Sequence, residues 1–194
     1  MTHLGNQRPA PEPRPAIDTG AAERIFLVGL MGSGKSTVGR ALADRLGRPY
    51  LDNDALLQQR TGLDAPALAG LGRQALHAQE SRQLRALLDA PVPYVAGIAA
   101  SVADNRDDLA RITAAGRVVY LRASPQTLAR RVGHGQGRPW LDGDLLSTLT
   151  AMFAARDDAY RRLGDVVDTD GRDPQEIAAE LARLLGAACS APAD

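Results

Sequence analysis

Gly29-Leu30-Met31-Gly32-Ser33-Gly34-Lys35-Ser36 fills every fixed position of the phosphate-binding pattern G-x-x-x-x-G-K-[ST]. The apolar run Ile25-Phe26-Leu27-Val28 before it predicts a buried strand. Val38, Ala41, Leu42 and Leu46 after it recur at helical spacing over Thr37 to Leu46. The order is therefore strand, tight loop, helix. Glycines in such a loop let successive backbone N–H groups surround phosphate oxygens, and the helix points its partly positive N-terminus at the same anion. Gly29, Met31, Gly32, Ser33, Gly34, Lys35, Ser36 and Thr37 form the candidate nucleotide site on this pattern. Lys35 would reach the β- and γ-phosphates as a point charge, and the Ser36 hydroxyl would be a magnesium ligand.

Composition sharpens the role of Lys35. Of 23 basic residues it is the single Lys, and the other 22 are Arg. A bias of that kind converts lysines whose task is only to be positive and solvated, and spares one where the fork of an Arg does not fit.

Outward from this core, 194 residues predict one domain, long enough to bury about 70% of the surface its unfolded chain would expose. Acidic and basic residues balance at 23 each, which points away from nucleic-acid and membrane-surface binding and towards a small-molecule protein. No apolar run approaches the roughly 18 residues needed to cross a bilayer, and Cys189 has no second cysteine to pair with. A cytoplasmic monomer is expected. Residues 1–22, with Pro9, Pro11, Pro13 and Pro15, read as a disordered leader, and 187–194 as a disordered tail.

Over 23–186 strands alternate with helical stretches, which predicts an α/β domain built on a five-stranded parallel sheet with helices on both faces. The expected strands are Arg24 to Val28, Pro49 to Leu51, Pro93 to Ala96, Arg117 to Leu121 and Val166 to Asp168. Strand ends are where sites form in such folds, and Asp52 and Asp54 stand at the end of the second. Asp52 is the candidate magnesium partner of Ser36. A purely structural reading of the pair has Asp54 capping the next helix, Ala55 to Arg60, and Asp52 pairing with a surface Arg.

The block from Phe26 to Gly62, FLVGLMGSGKSTVGRALADRLGRPYLDNDALLQQRTG, resembles the amino-terminal half of shikimate kinases, members of the nucleoside-monophosphate-kinase-like P-loop fold. The likeness extends over most of Arg24 to Leu185. It implies Mg·ATP as the nucleotide and a small hydroxylated acid as acceptor. It gives Asp52 the magnesium and Asp54 the acceptor's hydroxyls and proton. It also implies that Arg131 stacks on adenine and that the loop holding Arg172 and Pro174 lies on the adenine side. Arg138 becomes the arginine of a mobile lid at about 132–143 that closes over the transferring phosphoryl, and Arg156 a clamp on the acceptor carboxylate.

The middle of the chain departs from that resemblance. Where it implies a second carboxylate clamp the sequence has His77, and where it implies three bare glycines against the acceptor ring the sequence has Ile98-Ala99-Ala100 after Gly97. Glu80, which would orient the missing Arg, is present. His77, Gly97, Ile98 and Ala99 thus join Asp54, Arg138 and Arg156 as candidate acceptor residues, with His77 alternatively a satisfied core residue. Three functions follow: a shikimate kinase with an altered pocket, a kinase of the same fold acting on another small hydroxylated acid or cyclitol, and a non-catalytic ATP-binding sensor or interaction module. Retention of Lys35, Asp52 and Arg138 argues against the third.

Overall fold

The computed structural model describes residues 24–133 and 144–187. The expected leader, most of the expected lid, including Arg138, and nearly all of the expected tail lie outside the described residues.

Five strands, β1 (Arg24–Val28), β2 (Tyr50–Asp52), β3 (Tyr94–Gly97), β4 (Arg117–Arg122) and β5 (Asp165–Asp168), form one parallel sheet in the order β2-β3-β1-β4-β5. All five expected strands are present, with no end shifted by more than a residue. β1 is central because its two alternating side-chain sets are both apolar. Phe26 and Val28 enter one core layer, Ile25 and Leu27 the other, and none is more than 1% exposed. A strand covered on both faces needs an unbroken apolar run, which is the pattern its sequence shows.

The layer holding Ile25 and Leu27 is completed by α1 (Lys35–Leu46) and α8 (Pro174–Ala187), through Val38, Leu42, Ile177 and Leu181. Leu42 is fully buried there, so its truncation to Ala would cost about 2–5 kcal/mol. The opposite layer takes α4 (Arg73–Leu88), α5 (Arg106–Ala115), α6 (Pro125–Val132) and α7 (Leu145–Arg161), through Leu84, Ile112, Leu128, Leu149 and Tyr160. Two short helices, α2 (Asn53–Thr61) and α3 (Ala65–Gly70), follow β2, and a 3₁₀ turn, Ala100–Asp104, follows β3.

Several helix boundaries differ from the sequence reading, for local reasons. The stretch Leu71 to Leu88 reads as a helix in the sequence, but the helix begins at Arg73, since Gly72 at φ 80° and ψ 154° cannot continue a right-handed helix. Leu141 to Leu163 reads as one long amphipathic helix in the sequence; the helix is described from Leu145, where the Asp144 carboxylate accepts from the backbone N–H of Ser147 as N-cap. α3, the 3₁₀ turn and α5 have no counterpart among the expected elements. For α5 the start signal was present: Asn105 accepts from the N–H groups of Asp107 and Asp108.

Candidate active site

The Gly29–Gly34 loop leaves the carboxyl end of β1 beside the carboxyl ends of β3 and β4. Backbone geometry fixes its shape. Gly29 has φ 143°, and a Cβ there would sit 2.6 Å from the Leu121 carbonyl oxygen; Gly34, at φ 101°, is the N-cap of α1. L-residues avoid both conformations. Lys35 opens α1 and folds back over the loop, donating from Nζ to the carbonyls of Gly29 (2.8 Å) and Leu30 (3.1 Å). Its ammonium thus stands at the loop's open side.

Ser36 Oγ donates to Asp52 Oδ2 at 2.9 Å. The other oxygen of Asp52 accepts from the N–H groups of Asp54 (3.1 Å) and Ala55 (3.4 Å). Asp52, and not Asp54, therefore caps α2, and it does so while its second oxygen reaches the phosphate loop. One rotamer of Asp52 makes both contacts, where the purely structural reading places the cap on Asp54 and a surface Arg on Asp52. Asp54 in the first turn of α2 is left facing the cleft.

This donor and acceptor set fits a nucleoside triphosphate with magnesium. Inward-turning glycines and one lysine suit the phosphates. A hydroxyl beside a single carboxylate suits a cation that takes one or two protein ligands and completes its shell with phosphates and water. Among the described residues there is no group of three or more His, Cys, Asp or Glu that could form a cage of their own.

Arg131 on α6 ties the loop to the segment after β5. It donates to the Thr169 carbonyl at 2.6 Å, to Thr169 Oγ1 at 3.0 Å and to the Gly32 carbonyl at 3.4 Å. Thr169, 1% exposed, in turn reaches the Ser33 carbonyl. Arg172 is anchored by the Asp168 carbonyl and by Glu180. With Pro174 and Ile177 these side chains border the cleft on its nucleotide side.

The cleft, about 970 Å³, continues past Lys35, Asp52 and Asp54 into a second half lined by α2, α4, α7 and the segment after β3. Gly97 lies at the junction, where a Cβ would meet the Tyr50 hydroxyl at 2.3 Å. Ile98 and Ala100 supply apolar wall. Ala99 is buried but does not line the cleft, and Ser101 does so beyond it. His77 is half-buried on α4, and burial holds its imidazole below its ordinary pKa, with Arg156 and Arg73 adding to the effect against an opposing pull from Asp104. Glu80, one turn along, accepts from the Ser101 hydroxyl. Burial pushes its carboxyl up to about 7, although the Ser101 bond works the other way.

Arg156 lies across the cleft on α7. The register of that helix is set by the next residue. Asp157 Oδ1 accepts from the Tyr120 hydroxyl (2.9 Å) and Arg122 Nε (3.0 Å) of β4, while Oδ2 takes Arg161 Nε at 2.7 Å. With Asp157 turned to the sheet, Arg156 is turned to the cleft. There it meets Asp104 in a two-bond pair, Nε to Oδ1 at 2.9 Å and Nη2 to Oδ2. Asp104 was not among the expected site residues. It lies 52 positions from Arg156 in an aperiodic stretch, so only the fold joins them.

The geometry thus unites Met31 to Thr37 with Asp52, Asp54, His77, Gly97, Ile98, Arg131, Arg156, Arg172 and Pro174 around one cleft. The sequence profile of the shikimate kinase family matches residues 31–185. The chain is 37% identical over 175 residues to the shikimate kinase of Nitrosospira multiformis, covering 88% of each chain. It is 38% identical over 167 residues to that of Halorhodospira halophila, covering 84% of this chain and 93% of the other. Among solved structures, shikimate kinase from Acinetobacter baumannii in complex with shikimate superposes with a TM-score of 0.81 at 26% identity, over 87% of this chain and 95% of that one. A gluconokinase from Sinorhizobium meliloti, at 22% identity and a TM-score of 0.59, shares the fold. On its sequence, its five-stranded parallel sheet and its phosphate loop, the chain belongs to the shikimate kinase family.

Proposed function

We propose that the protein transfers the γ-phosphoryl group of Mg·ATP to a hydroxyl of a small polyhydroxylated acceptor, shikimate or a related acid or cyclitol. The observation that carries this reading is the single cleft in which the phosphate loop and the Asp54, His77 and Arg156 pocket open onto each other through Gly97. The nucleotide supplies the phosphoryl group, and its cation neutralises charge on the phosphate oxygens.

The chain's own residues supply position and electrostatics. The loop amides and Lys35 hold the phosphates, and Ser36 with Asp52 holds the cation directly or through water. Asp54 accepts the hydrogen bond of the attacking hydroxyl and takes its proton. Arg131 and the Arg172–Pro174 segment border the base. Arg138, outside the described residues, is proposed to bring its guanidinium to the transferring group, in keeping with the resemblance of its loop to a lid.

In such sites positioning and preorganised charge carry most of the rate. ADP release from Mg·ATP in the presence of a panel of shikimate, quinate, cyclitols and sugar acids tests the proposal, with Lys35→Met as the blank. Saturable, acceptor-dependent release that disappears in Lys35→Met is the expected result. Equal release by the variant would overturn it. A non-catalytic sensor finds no support in a site where Lys35, Ser36, Asp52 and Asp54 all remain in mutual register.

A further inference from the structure

Tyr50, the first residue of β2, lines the cleft yet takes no part in the transfer proposed above. Its ring lies in a slot between two glycines. In the middle of α1 a Cβ at Gly39 would sit 2.3 Å from Tyr50 Cε2, and at the end of β3 a Cβ at Gly97 would sit 2.3 Å from Tyr50 Oη. Arg40 stands over the ring, 5.6 Å from its centre. The two glycines make room for different atoms. Gly39 admits the ring, as it would for any phenyl group. Gly97 admits the hydroxyl alone, because the next ring atom, Cζ, would lie 3.4 Å from that Cβ, an ordinary contact. Glycine inside a helix or strand is unfavourable relative to alanine, so one strand position at the junction of the two cleft halves is given over to a single phenolic oxygen.

That oxygen is buried and has no hydrogen-bond partner among the described residues. Buried hydroxyls are ordinarily paired, and an unpaired one is destabilising. The polar groups that act on it most strongly are Asp52 and Ser36, ahead of Arg40 and Asp54. Asp52 and Ser36 are also the pair proposed to hold the cation. A serine hydroxyl has one proton and two lone pairs. Ser36 gives its proton to Asp52 at 2.9 Å. One lone pair serves a cation, and the other can accept from one further donor. The Tyr50 O–H, within reach of Ser36, is such a donor. Resting on the phosphotransferase reading above, we infer that Tyr50 is a positioning residue for the cation, its hydroxyl donating to Ser36 Oγ when the magnesium nucleotide binds and so directing the remaining lone pair at the metal. The hydroxyl is then unfavourable in the nucleotide-free protein and favourable in the complex.

Tyr50→Phe keeps the ring between the glycines and removes only the oxygen. Calorimetry on the full chain gives Kd for ADP with magnesium and again in EDTA, and Tm is taken without nucleotide. Loss of one neutral hydrogen bond should raise Kd for Mg·ADP about three- to tenfold, with Kd for ADP in EDTA within about twofold of native. The nucleotide-free Tm should equal or exceed that of the native protein. A residue that serves only packing would lower Tm or weaken ADP equally with and without the metal. Tyr50→Phe/Gly97→Ala, in which a methyl group fills the space left by the oxygen, should bind Mg·ADP as Tyr50→Phe does. An unchanged Kd for Mg·ADP, an equal loss in EDTA, or a lower nucleotide-free Tm overturns the inference. So does a double variant that binds Mg·ADP well below Tyr50→Phe, which would assign Gly97 to the nucleotide itself. Failure of the native protein to bind Mg·ADP would remove the phosphotransferase reading, whereas native binding that Tyr50→Phe leaves intact removes only the role of Tyr50.

Discussion

The two halves of the cleft are built by different means. The nucleotide half is mostly backbone: a nine-residue span from Gly29 to Thr37 supplies its shape, and long-range side-chain ties hold it through Ser36 to Asp52, Arg131 to Gly32 and Thr169 to Ser33. The acceptor half is almost all side chain, assembled from α2, α4, the segment after β3, and α7. Backbone shape follows from where glycine stands, so the first half is rigidly encoded. Side-chain pockets depend on the register of several packed elements, and one substitution there changes what fits without disturbing the fold. A phosphate site built from the main chain can stay fixed while the pocket beside it is rebuilt for a different acceptor.

Breaking the nucleotide half should therefore cost the most. Lys35→Met removes a charge aimed at the phosphates and is expected to lower turnover by about 10²–10³-fold or more with every acceptor, the scale of losing one preorganised charge or donor in a transfer site. Circular dichroism and Tm should stay near native, since the side chain lines the cleft and is not part of either core layer. Asp52→Ala should show both of its roles. The lost N-cap costs about 0.5–2 kcal/mol in denaturant unfolding, and turnover should fall with a raised magnesium requirement because Ser36 loses its partner. Asp52→Asn, which retains a capping oxygen, should recover most of the stability but not the magnesium response.

The same difference in construction decides what was legible from sequence. The phosphate loop, the five strands and the Asp52–Asp54 pair were readable because each is local, as apolar runs, glycine spacing, or two carboxylates after a strand. Asp52 is expected to pair with Ser36, but the cap of α2 is expected from Asp54, because either carboxylate of the pair could cap and only the extended backbone at Asp52 decides between them. The Asp104–Arg156 pair could not be read. Asp104 ends a 3₁₀ turn with no period, and Arg156 points to it only because Asp157 locks α7 against Tyr120 and Arg122. Ala99 was expected at the pocket on its place in the sequence, yet the turn buries it and exposes Ala100 and Ser101 instead. Arg131 stood out as a nucleotide contact, while its anchoring to Thr169 was hidden by 38 intervening residues.

Within the acceptor half, effects should be smaller and fall on acceptor affinity or stability. Tyr160 is fully buried, and its hydroxyl donates to the Ala100 carbonyl at 2.6 Å, fixing the turn that carries the pocket wall. Tyr160→Phe leaves that carbonyl without its donor. It is expected to cost about 1–3 kcal/mol of stability and to raise the acceptor KM more than it changes the KM for ATP. An equal rise in both constants would mean the two halves are mechanically one unit.

The mildest change sharpens the contrast through pH. Glu80 has a carboxyl raised from 4.5 to about 7, chiefly by burial, even with Ser101 donating to it. A raised carboxyl pKa means the folded protein binds more protons than the unfolded chain between about pH 4.5 and 7. Stability contributed by this group is thus greatest below that window and declines as pH rises through it, the reverse of a salt-bridged carboxylate. Glu80→Gln keeps an oxygen for the Ser101 hydroxyl and abolishes the titration. At pH 8, where native Glu80 is held as a buried anion, the variant should melt about 2–4 °C higher, the shift that ~1 kcal/mol produces in a domain of this size. At pH 5, where the native carboxyl is protonated, the two proteins should coincide. No comparable change is expected for the ATP KM, because the phosphate loop carries its geometry in the main chain. Equal melting temperatures at pH 8 would show that water or Arg156 already stabilises the Glu80 anion, and would return the acceptor half to the same electrostatic footing as the nucleotide half.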